Sequence, residues 1–295
     1  MPANVLVPVD GSSQSFAGLV YTLVSFPNAT VTALYARDPE LVGYPDLDLE
    51  SRDSDDGLRP PGERVLERAR EIASGYQHEV ETALEVGRPH RVILAYLDEH
   101  DIDHVVMGSH GESPVVRPFL GHVTEAVVRR ASVSTTIIPE PQSELLQRTL
   151  PGRILVPVDG SEQSLAALEY AIDRFPEGRI TVFHAVALPF EYDRDAIEAG
   201  LGTIIDGLTR RGERILDSAV QAIADEDLIV ETELAHGKPA RSIVDYTVEN
   251  DFDQIIMGRH GRSLPARMVL GSVAETVSRR SEIPVTLVVG HGETS

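Results

Sequence analysis

No cysteine and no tryptophan occur among the 295 residues, and lysine occurs once, at position 238. Without cysteine there is no disulfide framework and no thiolate to hold a metal. Long hydrophobic runs are missing too. The apolar stretches are strand-sized and stop at Asp, Gly or Pro, far short of the ~20 residues that span a bilayer. The N-terminus MPANVLVPVDGS lacks a basic region followed by an apolar stretch and a small-residue cleavage site, so no secretory signal is expected and the location reads as cytoplasmic. Bases are scarce: 26 stand against 47 acids, for a formal net charge of −21. The summed field of such a charge repels polyanions, which argues against nonspecific binding to nucleic acid or to an anionic membrane. Any anionic ligand has to be held by local geometry.

What is present is an acidic surface whose bases are almost all arginine. That composition resembles proteins of salt-loving, haloarchaeal organisms, in which hydrated carboxylates keep a protein soluble in concentrated salt. The plainer alternative to that reading is an acidic protein from a high-GC genome, which favours Arg over Lys. With 42% hydrophobic residues, the chain is long enough for two domains, each with a core of its own.

Internal repetition decides the organisation. VLVPVDGSSQS at 5 to 15 matches ILVPVDGSEQS at 154 to 164 in nine of eleven positions, and VETALEVGRPHRVI at 80 to 93 recurs as VETELAHGKPARSI at 230 to 243. The spacing predicts one domain over residues 1–140, a Pro- and Gly-containing linker over 141–152 and a second domain over 153–290.

Within each copy, short Val- and Ile-rich runs alternate with segments of helical period. Phe16, Leu19, Val20, Leu23 and Val24, for example, share one helix face. In the first copy NVLVPV, TVTALYA, QHEVETAL, HVVM and STTIIP read as strands, and the second copy repeats the order. Alternating strands and helices with continuous hydrophobic runs predict an α/β fold: a five-stranded, mainly parallel sheet covered by helices on both faces, twice over. Right-handed crossovers then bring the carboxyl ends of the first and fourth strands to one edge, where such sheets bind ligands.

Two glycine-spaced loops fall at that edge, MGSHGESPVVRPFLGH at 107 to 122 and MGRHGRSLPARMVLGS at 257 to 272. Gly258 and Gly261 are expected where the chain leaves a strand at close quarters, through positive φ or through the missing Cβ. Gly271 and Ser272 open a helix, whose free N–H groups and dipole attract anions, and the serine could cap the helix or donate to a phosphate oxygen. A lone G-x-x-G is more often a plain turn. Here it is joined by nine residues, Gly-Ser, a helix, and an acidic turn at Asp159-Gly160-Ser161. Neither G-x-x-x-x-G-K-[ST] nor G-x-G-x-x-G fits.

Both copies resemble universal stress protein domains, and the chain resembles a tandem member of the ATP-binding type, with a Rossmann-like fold of the adenine nucleotide alpha hydrolase kind. The resemblance rests on the VPVDGS opening and on Gly258, Gly261, Gly271 and Ser272 in the pattern Gly-x-x-Gly, nine residues, Gly-Ser. It implies that Asp159 meets the adenosine, that Pro157 and Val158 line the base, and that the backbone of Ala185, after His184, reads the adenine edge. It further implies that Met257 and Gly258 lie against ribose and α-phosphate and that Gly271, Ser272 and Val273 hold the outer phosphates. Arg262 and Arg267 are sensible neighbours for that charge, or else ordinary solvated loop arginines. Mg²⁺ or Mn²⁺ would arrive on the phosphates rather than in an all-protein site.

The first copy keeps Pro8, Asp10, Ala36, Met107, Gly108, Gly111 and Gly121, but has His122 for the serine and Glu112 for Arg262, with Pro114 and Pro118 in the loop. One hydroxyl bond to a charged group is worth about 1.5–3 kcal/mol, roughly one to two decades of affinity. Weaker ATP binding is expected there, with AMP or nothing as alternatives. No G-x-S-x-G elbow supports a hydrolase, and His100, His104, His110 and His122 lack a tight metal-ligand spacing.

The resemblance also implies that the apolar last strands pair the two copies as an intramolecular pseudo-dimer, a homodimer of chains being open. The expected function is a stress-linked nucleotide sensor or switch with little or no hydrolysis. The alternatives are an ATP-using enzyme on the same scaffold and a structural pseudo-dimer that binds no nucleotide.

Overall fold

In both copies the chain opens with a buried apolar strand that ends in an Asp-Gly-Ser turn, and the turn starts a helix. The computed structural model describes residues 3–39, 60–111, 120–139, 152–188, 202–223, 230–261 and 270–290. It divides into two units, Met1–Leu146 and Gln147–Ser295.

The first unit runs β1 (Asn4–Pro8), α1 (Ser13–Ser25), β2 (Thr30–Arg37), α2 (Pro61–Gly75), β3 (Val80–Val86), α3 (Pro89–Glu99), β4 (His104–Gly108), α4 (His122–Arg130) and β5 (Ser134–Ile138). All its pairings are parallel, in the order β3-β2-β1-β4-β5. The chain leaves β1 to one side for β2 and returns on the other for β4, so the carboxyl ends of β1 and β4 flank the switch point. Val5, Leu6 and Val7 are fully buried because helices cover both faces. On one face Leu6, Val105 and Met107 pack with Ile93 and Leu97 of α3 and Val127 of α4. On the other, Gly18 lets α1 lie close to Val106 and Ile138. Asp103, just before β4, accepts the N–H groups of both Ala3 and Asn4 at 2.8 Å.

The second unit repeats this as β6 (Arg153–Pro157), α5 (Glu162–Arg174), β7 (Arg179–Val186), α6 (Gly202–Ala222), β8 (Glu231–His236), α7 (Pro239–Glu249), β9 (Gln254–Gly258), α8 (Ser272–Arg280) and β10 (Val285–Val288). Its parallel order is β10-β9-β6-β7-β8. Gly212, midway along α6, sits where a Cβ would come within 2.8 Å of Leu234 and 2.9 Å of His184 and Val186. A glycine there costs helix propensity and allows the helix to seat directly on β7 and β8.

Element starts differ from the sequence reading in identifiable ways. The strand expected from Gln77 begins at Val80, because Gln77 takes φ 56° and its N–H, like that of His78, closes the end of α2. The edge strand β3 is also half exposed rather than buried. No helix among the described residues is long and apolar enough to cross a membrane.

Candidate functional site

The Asp-Gly-Ser turn is built by its own side chains. In the second unit Ser161 is the N-cap of α5 and accepts the Ser164 N–H at 3.2 Å, while Ser164 Oγ donates to the Ser161 carbonyl at 2.8 Å. The Ser161 N–H donates to Asp159 Oδ1 at 2.9 Å. The first unit repeats the turn, and there Asp10 Oδ1 also accepts the Ser12 hydroxyl at 2.6 Å. The connecting glycines take φ 97° at Gly11 and 75° at Gly160, a left-handed conformation that favours glycine. One carboxylate oxygen is thus tied into the turn. The other faces the glycine loop.

That approach explains the loop glycines. A Cβ on Gly261 would come within 2.5 Å of Asp159 Oδ2, and one on Gly258 within 2.9 Å of the Gln163 carbonyl in the first turn of α5. Gly111 stands in the same way against Asp10 Oδ2, and Gly108 against Gln14. Positive φ, one of the two reasons expected for these glycines, is found in the Asp-Gly-Ser turn instead; Gly258 and Gly261 are required by close approach.

Gly271, the N-cap of α8, donates its N–H to the Arg259 carbonyl at 3.0 Å and is closely seated, a Cβ there meeting His260 Cα at 3.1 Å. Among the described residues no side chain caps α8. Ser272 is therefore the first helical residue and not the cap, which corrects one of its two expected roles. Exposed at the helix start, its hydroxyl remains available to a ligand. Val273 follows, half-buried. Arg262 and Arg267, like Glu112, Pro114 and Pro118, lie outside the described residues.

The remaining positions converge on the same edge. Pro157 ends β6, and buried Val158 donates its N–H to Phe183 O at 2.8 Å. Ala185 lies on the neighbouring β7, and Met257 and Gly258 end β9, which pairs with β6 on the other side. In the first unit Pro8, Asp10, Ala36, Met107, Gly108, Gly111, Gly121 and His122 occupy the equivalent places, with His122 exposed as the first residue of α4. Thr124 Oγ1 donates to the Gly108 carbonyl at 2.8 Å, a tie that Ala274 cannot make in the second unit. His110 Nδ1 lies 3.1 Å from Ser109 Oγ, and its Nε2 is buried without a hydrogen-bond partner among the described residues.

Sequence reasoning overlooked the two serines of each turn as the groups that aim the aspartate. Their signal was available in the repeated DGSxxS. It also overlooked Arg259, 7% exposed beside the loop where the first copy has Ser109. Of the four histidines weighed as metal ligands, His104 is buried against Thr136, with Nε2 2.8 Å from Oγ1, and His100 stacks on Tyr96. Among the described residues no three His, Asp or Glu side chains gather as a metal set.

Comparison with known proteins agrees with this architecture. The universal stress protein family model matches residues 1–139 and 151–289. Universal stress protein MJ0531 of Methanocaldococcus jannaschii is 30% identical over 144 residues, 46% of this chain and 81% of that relative. Universal stress protein Mb2028c of Mycobacterium bovis is 23% identical over 297 residues, 96% of this chain and 95% of the relative. The crystal structure of a universal stress protein from Archaeoglobus fulgidus superposes with a TM-score of 0.70 at 24% identity, covering 97% of this chain and 98% of that one, a likeness of fold. With the family match repeated in both halves around the same turn and loop, the chain belongs to the universal stress protein family.

Proposed function

We propose that the second copy binds an adenine nucleotide, ATP with Mg²⁺ or Mn²⁺ carried on its phosphates, and that the chain acts as a stress-response sensor or switch with little or no hydrolysis. The observation that carries this reading is the convergence at one sheet edge of a glycine loop pressed onto Asp159 and a helix start that no side chain caps among the described residues. The loop glycines, lacking a Cβ, leave backbone N–H groups open to a phosphate chain, and the helix start supplies more of them. Pro157, Val158, Asp159 and Ala185 are the proposed base and ribose side. Met257, Gly258, Gly261, Gly271, Ser272 and Val273 are the proposed phosphate side, with Arg262 and Arg267 added from the sequence.

The first copy is proposed as the weaker site. It retains the turn and the glycine contacts, and its buried His110 Nε2, without a hydrogen-bond partner among the described residues, is a polar atom that a ligand could satisfy. An intramolecular pseudo-dimer through β5 and β10, a cytoplasmic location, and domain limits near 1–140 and 153–290 belong to the same proposal.

Denaturing the purified chain and identifying released nucleotides by mass spectrometry tests it, together with a thermal shift on adding Mg-ATP. Released adenine nucleotide or a raised Tm is expected. Neither, in low and high salt alike, would favour a structural pseudo-dimer; turnover of ATP with a co-substrate would favour an enzyme.

A further inference from the structure

His184 stands one residue before Ala185, with Nδ1 2.7 Å from the Val158 carbonyl oxygen. A carbonyl only accepts, so the ring nitrogen facing it carries the proton. The parallel ladder between β6 and β7 ends at Pro157 paired with Phe183, followed by one more bond from the Val158 N–H to the Phe183 carbonyl. In a parallel ladder a residue bonds through its N–H to one neighbour and through its C=O to the residue two further on. The next rung would therefore join the Val158 carbonyl to the Ala185 N–H. The imidazole takes that carbonyl instead.

We infer that His184 is a positioning residue: it satisfies the Val158 carbonyl so that the Ala185 amide is left for the edge of the bound base. This rests on the nucleotide reading above and deepens it. Two neighbours hold the ring in place. Gly212 of α6 lies so close to His184 Cδ2 that a Cβ would stand 2.9 Å from it. On the other side of the bond, Val158 is buried and fixed through its own N–H. The geometry at the strand exit is thereby set before any ligand arrives, which reduces the ordering cost of binding. The first copy has Tyr35 in this position, a side chain without a donor where the imidazole Nδ1 would be.

The test uses the full chain and the variants His184→Leu and His184→Asn, because an Asn amide nitrogen stands close to where Nδ1 stands and donates likewise. Binding of AMP, ADP and ATP is measured by isothermal titration, reading the tighter class of sites, with thermal unfolding of the ligand-free proteins alongside. His184→Leu is expected to weaken all three nucleotides by a similar factor, about three- to tenfold for one lost hydrogen bond. His184→Asn should restore affinity to within about twofold. A loss confined to ATP, no loss in His184→Leu, or an equal loss in both variants at matched Tm overturns the inference and leaves nucleotide binding intact. A wild-type chain that binds none of the three overturns the nucleotide reading and this inference with it.

Discussion

Asp159 and Gly261 form one contact, and neither is replaceable alone. With a Cβ of residue 261 only 2.5 Å from Oδ2, a branched side chain has to push the loop or the carboxylate away. Gly261→Val should lower nucleotide affinity of the second copy at least tenfold, whereas unchanged affinity by calorimetry would place the ligand elsewhere. The reverse experiment is His122→Ser, which gives the first copy the hydroxyl that Ser272 presents at its helix start. It should tighten ATP binding there by roughly one to two decades, the value of a hydrogen bond to a charged group. His90 offers a test that needs no ligand. Burial first, and then the charges of Arg91, Arg130 and Arg88, hold its pKa below the ordinary histidine value, while Asp38 pulls the other way. The unfolded chain therefore takes up that proton more readily, and the neutral ring's contribution to stability is lost as pH falls through the ordinary histidine range. Raising salt from about 0.1 M to about 1 M shortens the screening length from roughly 10 to 3 Å and should raise the His90 midpoint seen by NMR, stopping short of the ordinary value. A midpoint that does not move with salt would leave burial as the whole cause.

Helix α6 carries two interior glycines with opposite duties. Among the described residues Gly207 has nothing within 4 Å of where its Cβ would be, whereas Gly212 is pressed against Leu234, His184 and Val186. Alanine improves helix propensity by about 0.8–1 kcal/mol at either position. Gly207→Ala should therefore raise Tm, and Gly212→Ala should lower it because the helix must lift from β7 and β8. Equal shifts in thermal unfolding would show that the close seating carries no weight. Elements of this kind mark where the sequence was readable. Helices α4 and α8 were legible at both ends, since a glycine precedes each and each closes on an Arg pair. The meeting of the first and fourth strands at one edge was expected from right-handed βαβ crossovers, and β1 does pair with β4. The onset of β3 was hidden, because a left-handed Gln77 carries none of the usual glycine signal. In the site, motif spacing marked the glycines and offered close approach as one of two reasons for them, but not what they approach. For Gly111 and Gly261 that is Asp10 and Asp159, for Gly108 and Gly258 it is Gln14 and Gln163, and no one-dimensional pattern reports such a pairing.

At the scale of the whole chain, the net charge of −21 opposes compaction in dilute buffer. Ion pairs such as Arg68 with Glu71 and Arg241 with Asp245 are exposed and contribute little, so screening them away costs less than screening repulsion gains. The unfolding midpoint should rise as KCl is added over the molar range, and a falling midpoint would show that attractive pairs dominate. The position of β1 has a consequence in time. Its partners are β2 and β4, and Ala3 and Asn4 are held by Asp103, about a hundred residues later. During synthesis the first strand must wait for β4 to leave the ribosome before its sheet can close, about 5–20 s at ordinary elongation rates. The second copy, with Asp253 accepting the Arg153 N–H at 2.7 Å, imposes a second wait of the same kind. Each half is thus open longest at a strand whose central residues, Val5 to Val7 or Ile154 to Val156, are fully buried once the sheet closes, the interval in which a nascent chain is most exposed to aggregation.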